Sequence, residues 1–190
     1  GGGAIWIGSG GNTRVRNSTI VANESTNNAV GGLLTSGAAG VTVKNCILFD
    51  NVGPGNVQFS FTQVNTPTDV DWCLVENGFS GGGIGNSGGD PAFVDAAGGD
   101  YRLTASSAAI DAGNNNDVQA GTTVDYLGLA RFVDDPNVVD TGVGTAPIVD
   151  IGAFEFAADD PWTDLGSALA GTSGDPLLVG SGPLTALSPI

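Results

Sequence analysis

The sequence predicts an all-β chain built as a parallel β-helix, and three observations predict it. A polar-apolar-polar segment recurs as Asn17-Ser-Thr-Ile20-Val-Ala-Asn23, Asn45-Cys-Ile-Leu48-Phe-Asp-Asn51 and Asp71-Trp-Cys-Leu74-Val-Glu-Asn77, at steps of 28 and then 26 residues. Each period holds three short β-like runs set apart by Gly, Ser and Asn. Glycine contributes 32 of 190 residues, more than twice its usual share of about 7%, so the chain is rich in turns. A repeat of 26–28 residues made of three short strands is the pattern of a solenoid whose successive coils stack.

The elements follow in order. The first coil takes Ala4-Ile-Trp-Ile7, Thr13 to Asn17 and Ser18 to Asn23. The second takes Gly31 to Leu34, Gly40 to Asn45 and Cys46 to Asn51, and the third Asn56 to Phe61, Thr68 to Asp71 and Trp72 to Asn77. Stacking sets equivalent residues about 4.8 Å apart, which predicts an inward column of Ile20, Leu48 and Leu74 and another of Val15 and Val43. Asn17 and Asn45 fall where the second strand bends into the third. Their amides can donate to one coil and accept from the next, so the expectation is an asparagine ladder ended by Asp71.

Gly81 to Gly89 reads as a loop. No helical pattern and no P-loop Lys-Ser/Thr follow it, which argues against a phosphate cradle. Asp90 to Asp95 and Asp100 to Leu103 are expected to open a last, looser coil closing at Ala109 to Gly113. The domain reading is therefore β-helix coils over 1–113, truncated at the N-terminal side, an irregular cap over 114–156, and a linker with an incomplete β segment over 157–190. The cap is expected to fold over the open lower end of the coils, with Val149 to Phe156 as a closing strand, because an uncovered solenoid end is an unpaired sheet edge.

The formal charge is −15, with histidine and methionine absent and a single lysine at Lys44. Residues 1–85 hold five acids and three bases, and 86–190 hold fifteen acids and two bases. Nucleic acid and anionic bilayers both require clustered Lys and Arg, so neither is an expected partner. No apolar run approaches the roughly 18 residues of a membrane span, so no membrane insertion is expected either. Cys46 and Cys73 fall in different columns of the 26-residue step, which favours two separate thiols; a one-residue slip in register would bring them together. Two cysteines without histidine speak against zinc.

The Gly-Gly-x-apolar start of a coil and the Val-x-Asn-Ser/Cys turns carry a resemblance. Asp90-Pro-Ala-Phe-Val-Asp95, Gly99-Asp-Tyr-Arg-Leu103, Ser107-Ala-Ala-Ile-Asp-Ala-Gly113 and Val149-Asp-Ile-Gly-Ala-Phe-Glu155 carry it further. Over residues 1–156 the chain resembles bacterial right-handed parallel β-helix proteins of the choice-of-anchor Q type. The resemblance implies a right-handed helix in a secreted or surface-attached bacterial protein, with targeting and anchoring parts outside this segment. The same solenoid is similar to that of pectate lyases and other polysaccharide-acting enzymes, a likeness of fold rather than of site.

Candidate sites are few. Arg16 and Lys44 stand one coil apart on the strand that turns Val15 and Val43 inward, so both project outward as a small cationic spot for an acidic glycan; the alternative is two solvated side chains on an acidic surface. Trp6 and Trp72 are sugar-stacking candidates if they face outward. In the cap, Asp111, Asp125, Asp134, Asp150 and Glu155 lie on loops with Asn, Gly and carbonyl oxygens nearby, a donor set suited to calcium. The simpler reading is that Asp111 and Asp150 hydrogen-bond turns and that Arg131 neutralises a neighbour. No catalytic residue is assigned. The functional expectation is a non-catalytic surface or secreted segment that is structural or binds glycan or matrix polymer. The alternatives are a piece of a polysaccharide lyase or glycoside hydrolase acting on acidic polysaccharide, and a mechanical spacer.

Overall fold

The computed structural model describes residues 3–8, 12–26, 30–35, 40–53, 57–61 and 69–158; all of these except Ala158 lie in one compact unit, Gly1–Ala157. The expected linker and β segment of 157–190 thus fall almost wholly outside the described residues. Among those residues the chain is all-β, with eleven short strands and a single 3-10 turn at Asn115–Asp117. No described helix is long and apolar enough to cross a membrane.

Nine strands form three units of three: β1 Ile5–Ile7, β2 Arg14–Arg16 and β3 Thr19–Val21; β4 Val30–Thr35, β5 Thr42–Lys44 and β6 Ile47–Phe49; β7 Val57–Phe61, β8 Asp69–Asp71 and β9 Leu74–Val75. Each strand from β1 to β6 pairs in parallel with the strand three places later, giving the sheets β1-β4-β7, β2-β5-β8 and β3-β6-β9. Such pairing needs a long connection between partners, which the two intervening strands supply.

The register corrects one expectation. Val15 pairs with Val43 and Val43 with Val70; Ile20 pairs with Leu48 and Leu48 with Val75. The second step is therefore 27 residues rather than 26, and Leu74 sits beside Ile47 instead of Leu48. The backbone explains this. Asn17, Asn45 and Trp72 hold φ of 44°, 51° and 53°, and at the next corner Ala22, Asp50 and Asn77 hold 54°, 49° and 63°. The left-handed bend fixes the spacing, and it recurs whether the letter is Asn, where it is common, or Trp, where it is rare.

Because residues alternate across a strand, the β3-β6-β9 sheet has a core on each side. Ile20, Leu48 and Val75 join Ile7, Leu33, Val41, Val43, Cys46, Val70 and Cys73 in one buried cluster. Ile47 and Leu74, one residue earlier, join Leu103, Ala109, Ile110, Ala112 and Ile151 in the other. Val21, Phe49, Phe93 and Phe156 pack against this second cluster.

The segment after Asn77 does not repeat the three-strand unit. Phe93–Asp95 (β10) and Asp100–Leu103 (β11) pair antiparallel as a hairpin, Phe93 with Leu103 and Asp95 with Asp100. Gly99 at φ 84° and the Gly98 N–H donated to Asp95 shape its turn. Phe93 meets Phe49 and Tyr101 edge to face, which seats the hairpin on the second core. The cap also lies elsewhere than expected. Gly152 donates its N–H to the Asn45 carbonyl, Ala153 donates to the Thr19 hydroxyl, and Asn114 donates to the Asn45 side chain. The segment from Ala109 to Phe156 thus covers the flank of the first two units. Residues 148–151 are buried without alternation and form no strand; their main chain bonds Gly113, Ala109 and the Asn115 side chain.

The glycine-rich loop closes the exposed edge of β8 and β9. Trp72 donates to the Ile84 carbonyl, Ser87 to Cys73 and Val75 to Ser87, while Asn86 receives the Cys73 N–H and donates to Val70. Close approach demands glycine here: a Cβ on Gly83 would stand 1.9 Å from the Val70 carbonyl, and one on Gly85 would enter the Trp72 ring. Both residues also hold positive φ.

Gly83→Ala is expected to cost well over the 1–2 kcal/mol or so of a left-handed alanine, because it also severs the Val70 contact. Gly82→Ala, at φ 95° but facing open space, is expected to cost only that backbone term. Urea melts of the two variants give the comparison, and equal losses would show that the loop does not seal the edge.

Candidate functional site

The expected cationic spot forms with a different membership. Arg16 and Lys44 are register partners, but Lys44 makes an ion pair with Asp71, its own partner on β8. Asp71 accordingly belongs to the Arg16 and Lys44 column and not to the Asn17 and Asn45 corner. The guanidinium that keeps Arg16 company toward solvent is Arg14. The two share one face of β2 by alternation and line a depression of about 350 Å³ with Val15, Ser18 and Gln119. Arg14 was legible in the sequence as the i, i+2 neighbour of Arg16 on the same strand face.

The asparagine corner does not build the expected ladder. Asn45 is fully buried and spends its side chain on Asn114, donating to its carbonyl and accepting its N–H. The Asn17 Nδ2 is buried with no hydrogen-bond partner. Stacked amides occur instead six residues later, where the Asn23 Nδ2 donates to the Asn51 Oδ1 at 2.9 Å and Asn51 donates to the Ile20 carbonyl.

Beside Asn17 runs a groove of about 640 Å³, lined by Asn17, Ser18, Thr19, Val21, Asn23, Gly99, Tyr101, Tyr126, Ala153 and Phe154. One wall is the first strand unit, and the other is built by the hairpin and the cap. Tyr126 is 77% exposed and meets Phe154 edge to face at 5.4 Å. Ser18 lines both this groove and the arginine depression, so the two adjoin. Of the tryptophans, Trp6 is 58% exposed on β1, whereas Trp72 is half-buried over Gly85.

No protein-family model matches the chain, and neither a curated protein nor a solved structure matches it.

The acidic residues proposed for the cap separate into two groups. Asp111, Asp134 and Asp140 bring carboxylate oxygens within 4.8 Å of one another, a group that can hold a metal ion; Asp140 was not among the sequence candidates. Asp125, Asp150 and Glu155 lie outside this trio and staple turns. Asp125 accepts the N–H groups of Leu127, Leu129 and Glu155. Asp150 accepts those of Asp111 and Phe156, and Glu155 accepts that of Asp150. Arg131, 1% exposed, lies 3.3 Å from Glu155 and donates to the carbonyls of Asp150 and Gly152, which is the neutralising role read from the sequence.

Burial dominates the ionisation of this network. Desolvation raises Asp150 from the ordinary 3.8 to about 7, against the two N–H donors and Arg131. It raises Glu155 to about 10, helped by Asp150 and opposed by Arg131. Asp111 rises to about 6 through burial, with the charges of Asp140, Asp134 and Asp135 adding to it.

An acid whose folded pKa is raised binds its proton more tightly folded than unfolded, so its contribution to stability is present in acid and lost as pH rises. Without divalent ions, the thermal midpoint is expected to fall as pH rises from about 4 to about 7, the window set by Asp150. Asp150→Asn, which fixes the uncharged state, is expected to flatten that slope. A midpoint that climbs across the same window in calorimetry would contradict the assignment.

Proposed function

We propose that this chain is a segment of a secreted or cell-surface bacterial protein, a right-handed parallel β-helix of the choice-of-anchor Q type, that holds polysaccharide without cleaving it. Support for the helix comes from the parallel pairing of each of the first six strands with the third one after it, at an offset of 28 residues in all three sheets and then of 27, which shortens to 26 along β4 and β7.

The observation that carries glycan binding is the groove beside the first unit. Tyr101, Tyr126 and Phe154 supply rings against which the apolar face of a sugar stacks. Asn17, Thr19 and Asn23 supply the amides and hydroxyls that sugar hydroxyls pair with. A concave site with aromatic walls and a few convergent polar groups is the general form of a small-molecule or chain-binding site. Among the described residues that line it, the groove carries no charge. The adjoining arginine pair supports an acidic unit next to a neutral one along the polymer, in place of the Arg16 and Lys44 spot.

The enzymatic reading draws no comparable support. A glycosidase needs two carboxyl groups reaching the substrate from opposite sides, whereas Asp150 and Glu155 are buried and bound to turn N–H groups. An extracellular setting also supplies the calcium that an all-oxygen aspartate trio selects.

Soluble neutral polysaccharides and polyuronates, titrated by calorimetry onto the 190-residue chain, test the proposal. Tyr126→Ala is expected to weaken binding about tenfold, the loss of one stacking and packing contact of about 1.4 kcal/mol, with an unchanged melting curve because the side chain is exposed. Arg14→Ala with Arg16→Ala is expected to reduce binding of the uronate polymer alone. Absence of heat with every polymer would refute glycan binding, and appearance of unsaturated or reducing ends would favour the enzyme.

A further inference from the structure

Asp111 is fully buried, at 0% exposure, yet one of its carboxylate oxygens, Oδ1, has no hydrogen-bond partner. The other, Oδ2, accepts the Asp135 N–H. A buried charged oxygen without a donor is costly, and native proteins seldom leave one unexplained. The chain does not bring a base to it. Arg131, the cation buried in the cap, is committed to Glu155 and to the carbonyls of Asp150 and Gly152. It brings two more acids instead, Asp134 and Asp140.

The main chain imposes that approach. The Asp135 N–H on the Asp111 carboxylate sets Asp134 beside it from one direction. The N–H groups of Thr141 and Gly142, both donating to the Asp111 carbonyl, set Asp140 beside it from the other. The loop from Asp134 to Asp140 is thus closed at both ends upon Asp111, and its two exposed carboxylates are directed back to the buried one. Gly142 permits the closure, since a Cβ there would stand 2.0 Å from the Gly113 carbonyl. Three carboxylates held so near in partly apolar surroundings repel one another strongly unless a cation joins them.

We propose that Asp111, Asp134 and Asp140 bind one divalent cation, and that this cation is calcium. The donors are oxygen only. The chain contains no histidine, and Cys46 and Cys73 belong to the other core, so zinc and other softer ions lack the ligands they select. Calcium accepts carboxylates in irregular loops and completes its six to eight oxygens with carbonyls and water, whereas magnesium demands a near-octahedral set. The ion locks the loop onto Asp111 and so ties 134–142 to the strand-flanking segment that begins at Ala109. The site is independent of the groove and stands whether or not the groove takes a glycan.

The test uses the full 190-residue chain freed of metal with a chelator, with calcium chloride as the probe. Calorimetric titration is expected to show one calcium per chain with a dissociation constant of about 10⁻⁴ to 10⁻³ M, the range of extracellular calcium modules. At a large excess the thermal midpoint is expected to rise by roughly 5 °C or more. Asp134→Asn with Asp140→Asn removes two exposed carboxylates and leaves the buried hydrogen bonds in place. This variant is expected to fold, by circular dichroism, and to lose both the heat and the calcium-dependent rise. Magnesium at equal concentration is expected to give a clearly smaller shift, and sodium chloride at equal ionic strength none specific to the wild type. No saturable calcium binding, or an equal midpoint rise in the double variant, would overturn the site; the second result would assign the effect to screening of the −15 charge.

Discussion

Burial of both faces of one narrow sheet is the constraint on which the remainder of this structure depends. A three-stranded ribbon with strands of two or three residues is marginal by itself. The β3-β6-β9 sheet becomes the centre of the molecule because Leu48 and Val75 face one cluster while Ile47 and Leu74 face the other. The repeating strands therefore do not stand alone as a stack with a solvated exterior. Their third sheet is roofed by the hairpin and by the segment running from Ala109 to Phe156, and that roof creates the groove where it meets the first unit.

The roof has almost no regular secondary structure, so side chains must satisfy its main chain. A buried loop without a ladder leaves N–H and C=O groups that need partners. Here Asp125, Asp150, Glu155, Asn114 and Asn115 receive N–H groups that a strand neighbour would otherwise take. Carboxylates serve well as multiple acceptors, which gives the acidity of the second half of the chain a structural reason. The cost is charge in a confined place, and Arg131 offsets it at one point only.

Much of the strand architecture was readable because hydrophobic alternation and spacing survive in the letters: Val15 and Val43, and Ile20 and Leu48, align as the sequence implied. The third unit was misaligned by one residue because Asp71 resembles Asn17 and Asn45 more than Trp72 does, although it is Trp72 that occupies the left-handed corner. Backbone conformation, not side-chain chemistry, sets the period, and it leaves a faint trace in a single sequence. The roof was less legible still. Asp140 reaches Asp111 through two main-chain bonds across some thirty residues, and nothing in the local pattern announces that closure. The same holds for the groove, whose rings arrive from residues 101, 126 and 154 to meet asparagines at 17 and 23.

The corrected alignment also places two sulfur atoms on neighbouring rows. Cys46 and Cys73 are free and fully buried, and the Cys46 N–H points at the Cys73 sulfur, 3.4 Å away. Burial and the adjacent Cys46 thiol drive the Cys73 thiol well above its ordinary range, so the nucleophilic thiolate is scarce. In oxidising surroundings such a pair is protected by its position and not by being bonded. Reagents that attack sulfur would reach it only in molecules whose interior has come apart, which makes the pair a built-in gauge of how often that happens.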